Sequence, residues 1–199
     1  MPAMMLEAVT SQDLWIWHAF FGMPGSHNDI NFIHHSPLFN DLINGVGPKG
    51  TFIVSDVEYK YRYYLVDGIY PYWAVFVKSF LREGTIDPKR RKFNKVQMMA
   101  RKEIDRAFGV LQKMWHILSM PCRLYEKDRI RNVMYACIIL HNMILGDEGR
   151  AIVEYYGKET ASNIEDISNE EISQNQNLIE SRQISSNLQA NLLDVKDSM

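Results

Sequence analysis

Apolar and aromatic residues open the chain in two runs, MMLEAVT (Met4–Thr10) and LWIWHAF (Leu14–Phe20), separated by Ser-Gln-Asp. Two strand-like runs around a three-residue polar break predict a β-hairpin. The Gly and Pro content of GMPGSHND (Gly22–Asp29) marks a loop, after which Asn28 or Asp29 can cap a helix carrying Ile30 and Ile33. Ser36-Pro37 is a cap followed by a first-turn proline. Leu38, Phe39, Leu42 and Ile43 then share one helical face up to Asn44-Gly45. TFIV (Thr51–Val54), YYLVD (Tyr63–Asp67) and AVFVKSF (Ala74–Phe80) read as short strands. From about Phe93 to Leu118 the period changes to that of a helix. Ala100, Ile104, Ala107, Phe108, Leu111, Trp115 and Leu118 lie on one stripe, and Met120-Pro121 ends it. A second helix, about Lys127 to Leu145, carries Ile130, Val133, Met134, Cys137, Ile138, His141 and Leu145, and ends at Gly146. Strands and helices interleaved in this order predict an α/β or α+β sheet with helices packed on it.

The pattern fades after residue 148. The segment from Asn163 to Met199 is rich in Asn, Gln, Ser and Glu and holds no aromatic residue, Pro or Gly. Such a composition predicts an acidic, disordered tail over 149–199, following a domain over 1–148. Charge follows the same division. Residues 151–199 carry nine acids against three Lys or Arg, a net of −6, which leaves +4 on the first 150 residues. No apolar run approaches the roughly 18 to 20 residues that span a bilayer, so no membrane role is expected. The two cysteines, Cys122 and Cys137, make no disulfide framework, which favours a reducing, intracellular setting.

Three carboxylates stand at element boundaries. Asp29 ends a Gly-Ser-His-Asn loop, Asp67 ends a strand, and Asp105 borders the buried stripe of the long helix, about 100° from Ile104. Carboxylates delivered from a strand end and a helix flank can converge on a hard cation such as Mg²⁺, and a pair of such ions can activate water against a phosphodiester. Each also has a plain structural reading. Asp29 is then an N-cap, Asp67 a turn acid before Gly68, and Asp105 an ion-pair partner of Arg101.

Four stretches weight that choice: LEAVTSQDLWIWHAFFGMPGSHNDINFIHHSPLF, YYLVDGIYPYWAVFVKS, ARKEIDRAFGVLQ and ACIILHNMI. Together, in this order and over residues 2 to 148, they resemble plant Harbinger-type transposase-derived proteins. The resemblance implies a DDE nuclease domain of RNase H-like fold, a mixed sheet with flanking helices, working with Mg²⁺ or Mn²⁺. It implies metal-site roles for Asp29 and Asp67 and places Asp105 where the family has a glutamate before Arg-x-Phe-Gly, giving Asp67 and Asp105 the catalytic roles. Asp105 is shorter than that glutamate by one methylene, ~1.5 Å of reach. The family's first aspartate lies on a central strand upstream of the residues matching MPAMMLEAV. The expectation is therefore an N-terminally truncated domain lacking that strand and inactive as a nuclease by itself. The alternative is a non-catalytic nuclear interaction protein.

The basic block PKRRKFNK (Pro88–Lys95) reads as a nuclear-import signal or a phosphate-backbone patch. With the resemblance it implies a nuclear protein whose contact with DNA is weak or indirect, through a Myb-like DNA-binding partner. Cys137 and His141 have zinc-ligand spacing but apolar neighbours and no second pair, so His141 reads as a core histidine. His27, His34 and His35 lie close to Asp29 in sequence and are candidates to assist metal or phosphate binding, or to cap and cover the surface.

Overall fold

The computed structural model describes residues 4–24, 33–45, 50–80, 87–124, 126–149 and 168–195. The architecture is mixed α/β, with three two-stranded sheets among the described residues and helices packed on them. The chain divides into two compact units, one of Met1–Asn28 with Arg101–Glu159 and one of Asp29–Ala100 with Thr160–Met199.

The first unit is the expected hairpin on helices. β1 (Met4–Thr10) pairs antiparallel with β2 (Ile16–Pro24). Register shifts at Met5/Leu6 and Val9/Thr10 leave Gly22 and Trp17 without a partner opposite. Gly22 has φ +123, a backbone setting open to a glycine and strained for any side chain. The loop is longer than the three polar residues predict. Leu14 turns to φ 69, Leu14 N–H donates to Ser11 O and Ser11 N–H to Trp15 O, so the second strand starts at Ile16. The pleat puts Leu6, Ala8 and Ala19 on the face that meets Leu111, Cys137 and Ile138.

Two helices supply that packing. α2 (Pro88–Met114) opens at Pro88, earlier than the apolar stripe suggests, because proline suits a first turn and Asp87 Oδ1 accepts from Lys89 N–H at 3.2 Å. Its residues from Arg101 onward belong to the first unit and those up to Ala100 to the second. A 3₁₀ turn, His116–Leu118, follows. α3 (Lys127–Asp147) buries Cys137, Ile138, His141 and Leu145. It also grips β2 through side chains. The Asn142 amide accepts from Ile16 N–H at 3.0 Å and donates to Ile16 O at 2.8 Å, and Tyr135 Oη accepts from Phe21 N–H at 3.3 Å. His141, fully buried, lies 3.0 Å from Leu14 O through Nε2 and 3.4 Å from Met114 Sδ through Nδ1. It is a core histidine.

The second unit holds the remaining strands. α1 (Pro37–Ile43) buries Phe39 and Leu42. β3 (Phe52–Val54) and β4 (Val57–Tyr59) form a hairpin that the sequence reading missed in its second half. Its two turn residues, Ser55 and Asp56, take φ 50 and 61, the tight turn that matches strand twist and is usually marked by Asn-Gly. β5 (Tyr64–Leu65) and β6 (Phe76–Val77) pair in parallel. The single sheet expected for the chain is thus present as three separate pairs among the described residues.

Where composition predicts a disordered tail, two helices stand. α4 (Asn169–Ile179) begins with a reciprocal capping box between Ser168 and Glu171. α5 (Arg182–Val195) follows after two residues. Sparse apolar residues suffice because they fall at helical spacing. Ile179 and Leu188 are fully buried, the first against Phe39, Trp73 and Phe76, the second against Val54, Tyr59 and Val77. The tail also covers the outer edge of β6. Ala74 N–H donates to Ile179 O at 2.6 Å, Ser185 Oγ to Phe76 O at 3.2 Å, and Gln189 Nε2 to Lys78 O at 2.8 Å. A helix advances about 6 Å in four residues and a strand about 6.6 Å in two, so Ser185 and Gln189 meet alternate carbonyls.

Candidate functional site

Asp67 sits where the parallel pair ends. Tyr64 N–H donates to Val75 O at 2.7 Å and Val66 N–H to Val77 O at 3.1 Å, which carries the ladder to the residue before the acid. The chain then turns. Asp67 O accepts from Tyr70 N–H at 3.3 Å, and Asp67 Oδ1 accepts from Gly68 N–H at 2.6 Å. The carboxylate is exposed. Gly68 is not what bends the backbone: a Cβ placed there meets nothing within 4 Å, and its φ lies outside the left-handed region. Asp67 closes the turn through its backbone carbonyl, and its carboxylate holds the next N–H.

Gln97 fixes the strand end from behind. It extends from α2, is buried, and donates through Nε2 to Val66 O at 3.1 Å and to Val77 O at 3.4 Å. Its Oε1 is buried without a hydrogen-bond partner among the described residues. The sequence reading missed Gln97, although a signal existed. Phe93, Gln97, Ala100, Ile104 and Ala107 follow the buried period, so a polar side chain there had to find backbone partners or remain unpaired.

Beside Asp67 lies a second polar group that sequence reasoning did not single out. Lys78, just past β6, is buried, and its ammonium stands 3.9 Å from the centre of the Tyr72 ring. Arg182, the first residue of α5, brings its guanidinium carbon to 4.7 Å from the same centre. Burial pushes the Lys78 ammonium below its ordinary range, Arg182 adds to that fall, and Asp67 opposes it. The apolar chain of Lys78 is thus covered while its charge faces an aromatic ring.

The other expected site residues are placed as follows. Asp29 and His27 lie outside the described residues. Asp105 is an exposed residue of α2 in the first unit, whereas Asp67 belongs to the second. Next to Asp105, Arg106 pairs with Glu103 at 2.6 Å. His34 and His35 are exposed, and His34 meets Trp73 edge-on with ring centres 5.6 Å apart. Among the described residues no three His, Cys, Asp or Glu side chains are grouped to hold a metal ion. The donor set that is visible does not amount to a metal cage.

The basic block forms the exposed start of α2. Lys89, Arg90, Arg91, Lys92 and Lys95 are exposed around the buried Phe93, and Arg90 lies over the Phe80 ring at 5.1 Å. No acid occupies that first turn itself, and the Asp87 carboxylate just before it caps Lys89 N–H and offsets part of the positive end of the helix dipole. Among the described residues no helix is long and apolar enough to cross a membrane.

Comparison with known proteins agrees with the four stretches. The model of the plant transposon protein family matches residues 1–152. A curated relative from Arabidopsis thaliana, Protein ALP1-like, is 24% identical over 151 residues, covering 75% of this chain and 37% of the relative. The chain therefore spans little more than a third of the length of that relative. No solved structure matches.

Proposed function

Because the chain belongs to the plant transposon protein family, as the Harbinger-type resemblance implied, we propose that it is a nuclear, transposase-derived, nuclease-like protein that engages the DNA backbone through the start of α2. The observation that carries the reading is the exposed block Lys89, Arg90, Arg91, Lys92 and Lys95 at the start of α2, five cations beside the capping carboxylate of Asp87. Phosphate contacts of this kind carry affinity without reading sequence, which suits a protein whose target choice comes from a Myb-like DNA-binding partner. An RNase H-like arrangement is the scaffold we assign. The parallel β5–β6 pair delivering Asp67 at a strand end supports it.

Divalent-metal cleavage of DNA is the chemistry implied by the family, with Mg²⁺ or Mn²⁺ as the ion. Among the described residues no three His, Cys, Asp or Glu side chains group to hold an ion, and Asp105 is exposed. We therefore assign DNA association, not cutting, to this chain by itself. A second reading, a protein-interaction role without catalysis, is favoured by one feature. Ile139, Leu140 and Met143 on α3 are 59%, 42% and 62% exposed, an apolar face at helical spacing.

The test is binding of a 16-base-pair duplex at several salt concentrations, with the wild type and with Arg90, Arg91 and Lys92 all changed to Gln. The substitutions should lower the slope of log K against log salt by about three and weaken binding by more than tenfold. Unchanged affinity and slope would sink the DNA reading. Addition of Mg²⁺ or Mn²⁺ to the same complex should leave the duplex uncut. Nicking that vanishes in Asp67→Asn would restore the nuclease.

A further inference from the structure

Two cationic side chains gather at Tyr72. Two cations, the Lys78 ammonium at 3.9 Å and the Arg182 guanidinium at 4.7 Å, lie over one ring. Among the described residues the carboxylate that acts on Lys78 is Asp67. Asp67 thus offsets part of the charge on Lys78. The start of α5 adds positive character, since Arg182 is its first residue and the dipole is positive there. In its first turn the N–H of Ile184 is turned to a cap, the Ser181 hydroxyl at 3.4 Å.

Keeping a buried lysine charged next to an arginine is costly without an anion to answer both. The ring supplies part of that answer, through the negative face of its π system. It cannot supply the hydrogen-bond acceptors that an ammonium and a guanidinium present donors for, five on arginine and three on lysine. A group with several acceptor oxygens and net negative charge can. Phosphate meets that requirement, with arginine offering paired donors and lysine a point charge.

We propose that Lys78, Arg182 and Tyr72 form a subsite for a phosphate group of a nucleic-acid backbone, next to Asp67 at the end of β5. The tail helix α5 completes it, so a segment outside the family match at 1–152 contributes half of its charge. That the phosphate belongs to DNA rests on the function proposed above, whereas the subsite itself does not.

The test uses the full chain and two probes, inorganic phosphate followed by isothermal titration and the same 16-base-pair duplex across a salt series. Arg182→Gln, an exposed substitution, should leave the melting temperature unchanged, weaken phosphate about tenfold and lower the duplex salt slope by about one. Lys78→Met should do the same to phosphate, and Arg182 keeps the proposal testable if that variant does not fold. Asp67→Asn should tighten phosphate several-fold by removing the competing carboxylate, an effect that a purely structural role for Lys78 does not give. Equal phosphate affinity in wild type and Arg182→Gln overturns the subsite. Weakened phosphate with an unaltered duplex slope keeps the subsite and overturns its assignment to DNA. Loss of duplex binding through the α2 variants alone, with Arg182→Gln silent toward both probes, retains the proposed function and rejects this inference.

Discussion

The two units are held by different kinds of bond, and the difference shows where each gets its order. In the first unit β1 and β2 are neighbours in sequence, and α3 secures the hairpin by side chains that imitate backbone: Asn142 to Ile16, Tyr135 to Phe21 and His141 at Leu14. In the second unit the pieces are short and the joining is apolar. Trp73 and Phe76 stack with ring planes 1° apart, Phe39 meets both edge-on, and Ile179 closes the group from more than 100 positions along the chain. A two-stranded sheet has little stability of its own. The first unit solves this with polar ties to a long helix, the second with a remote pair of helices.

The comparison breaks hardest at the tail. Ile179→Ala or Leu188→Ala should cost about 2 to 5 kcal/mol, since each side chain is fully buried in an apolar cluster. Native-state hydrogen exchange should show the fall at Tyr64, Val66 and Ala74, with the amides of β1 and β2 keeping their protection. Equal loss in both units would mean that they are not separate in stability. A smaller effect is expected from Asn142→Ala. It strips two partners from Ile16, and the unpaired N–H and C=O should cost about 1 to 3 kcal/mol in denaturant melts. Protection should drop along β2 while Val66 stays as it was. The smallest effect is at Gly68. Gly68→Ala should change stability by no more than about 0.5 to 1 kcal/mol, in either direction, because the site has space and an ordinary φ. A loss of several kcal/mol would return the turn to the glycine and take it from Asp67.

These particulars also show what the sequence could tell. The hairpin, α3 and the core position of His141 were legible because their apolar residues repeat at a strand or helix period over many positions. β4 was not, since its turn uses Ser55 and Asp56 in place of the usual glycine. The tail helices were hidden by composition. Between Ser168 and Val195 the apolar residues are few and polar ones surround them, yet Ile172, Ile179, Ile184, Leu188 and Leu192 keep a helical spacing. A capping box at Ser168 and Glu171 was there to be read. At the candidate site, the position of Asp67 at a strand end was visible in YYLVDGIYP. Lys78 and Arg182 were not, because they are 104 positions apart and nothing local marks their meeting over Tyr72.

The covered edge of β6 has one more consequence. An unprotected strand edge is a template on which another chain can add a strand, and proteins ordinarily guard such edges with charge, proline or a bulge. Here the guard is Ile179, Ser185 and Gln189 from the tail. A protein cut short before Ser168 would present the N–H of Ala74 and the carbonyls of Phe76 and Lys78 as a bare row beside apolar Trp73 and Val75. The tail helices thus act as a built-in chaperone for a strand that would otherwise recruit its own kind.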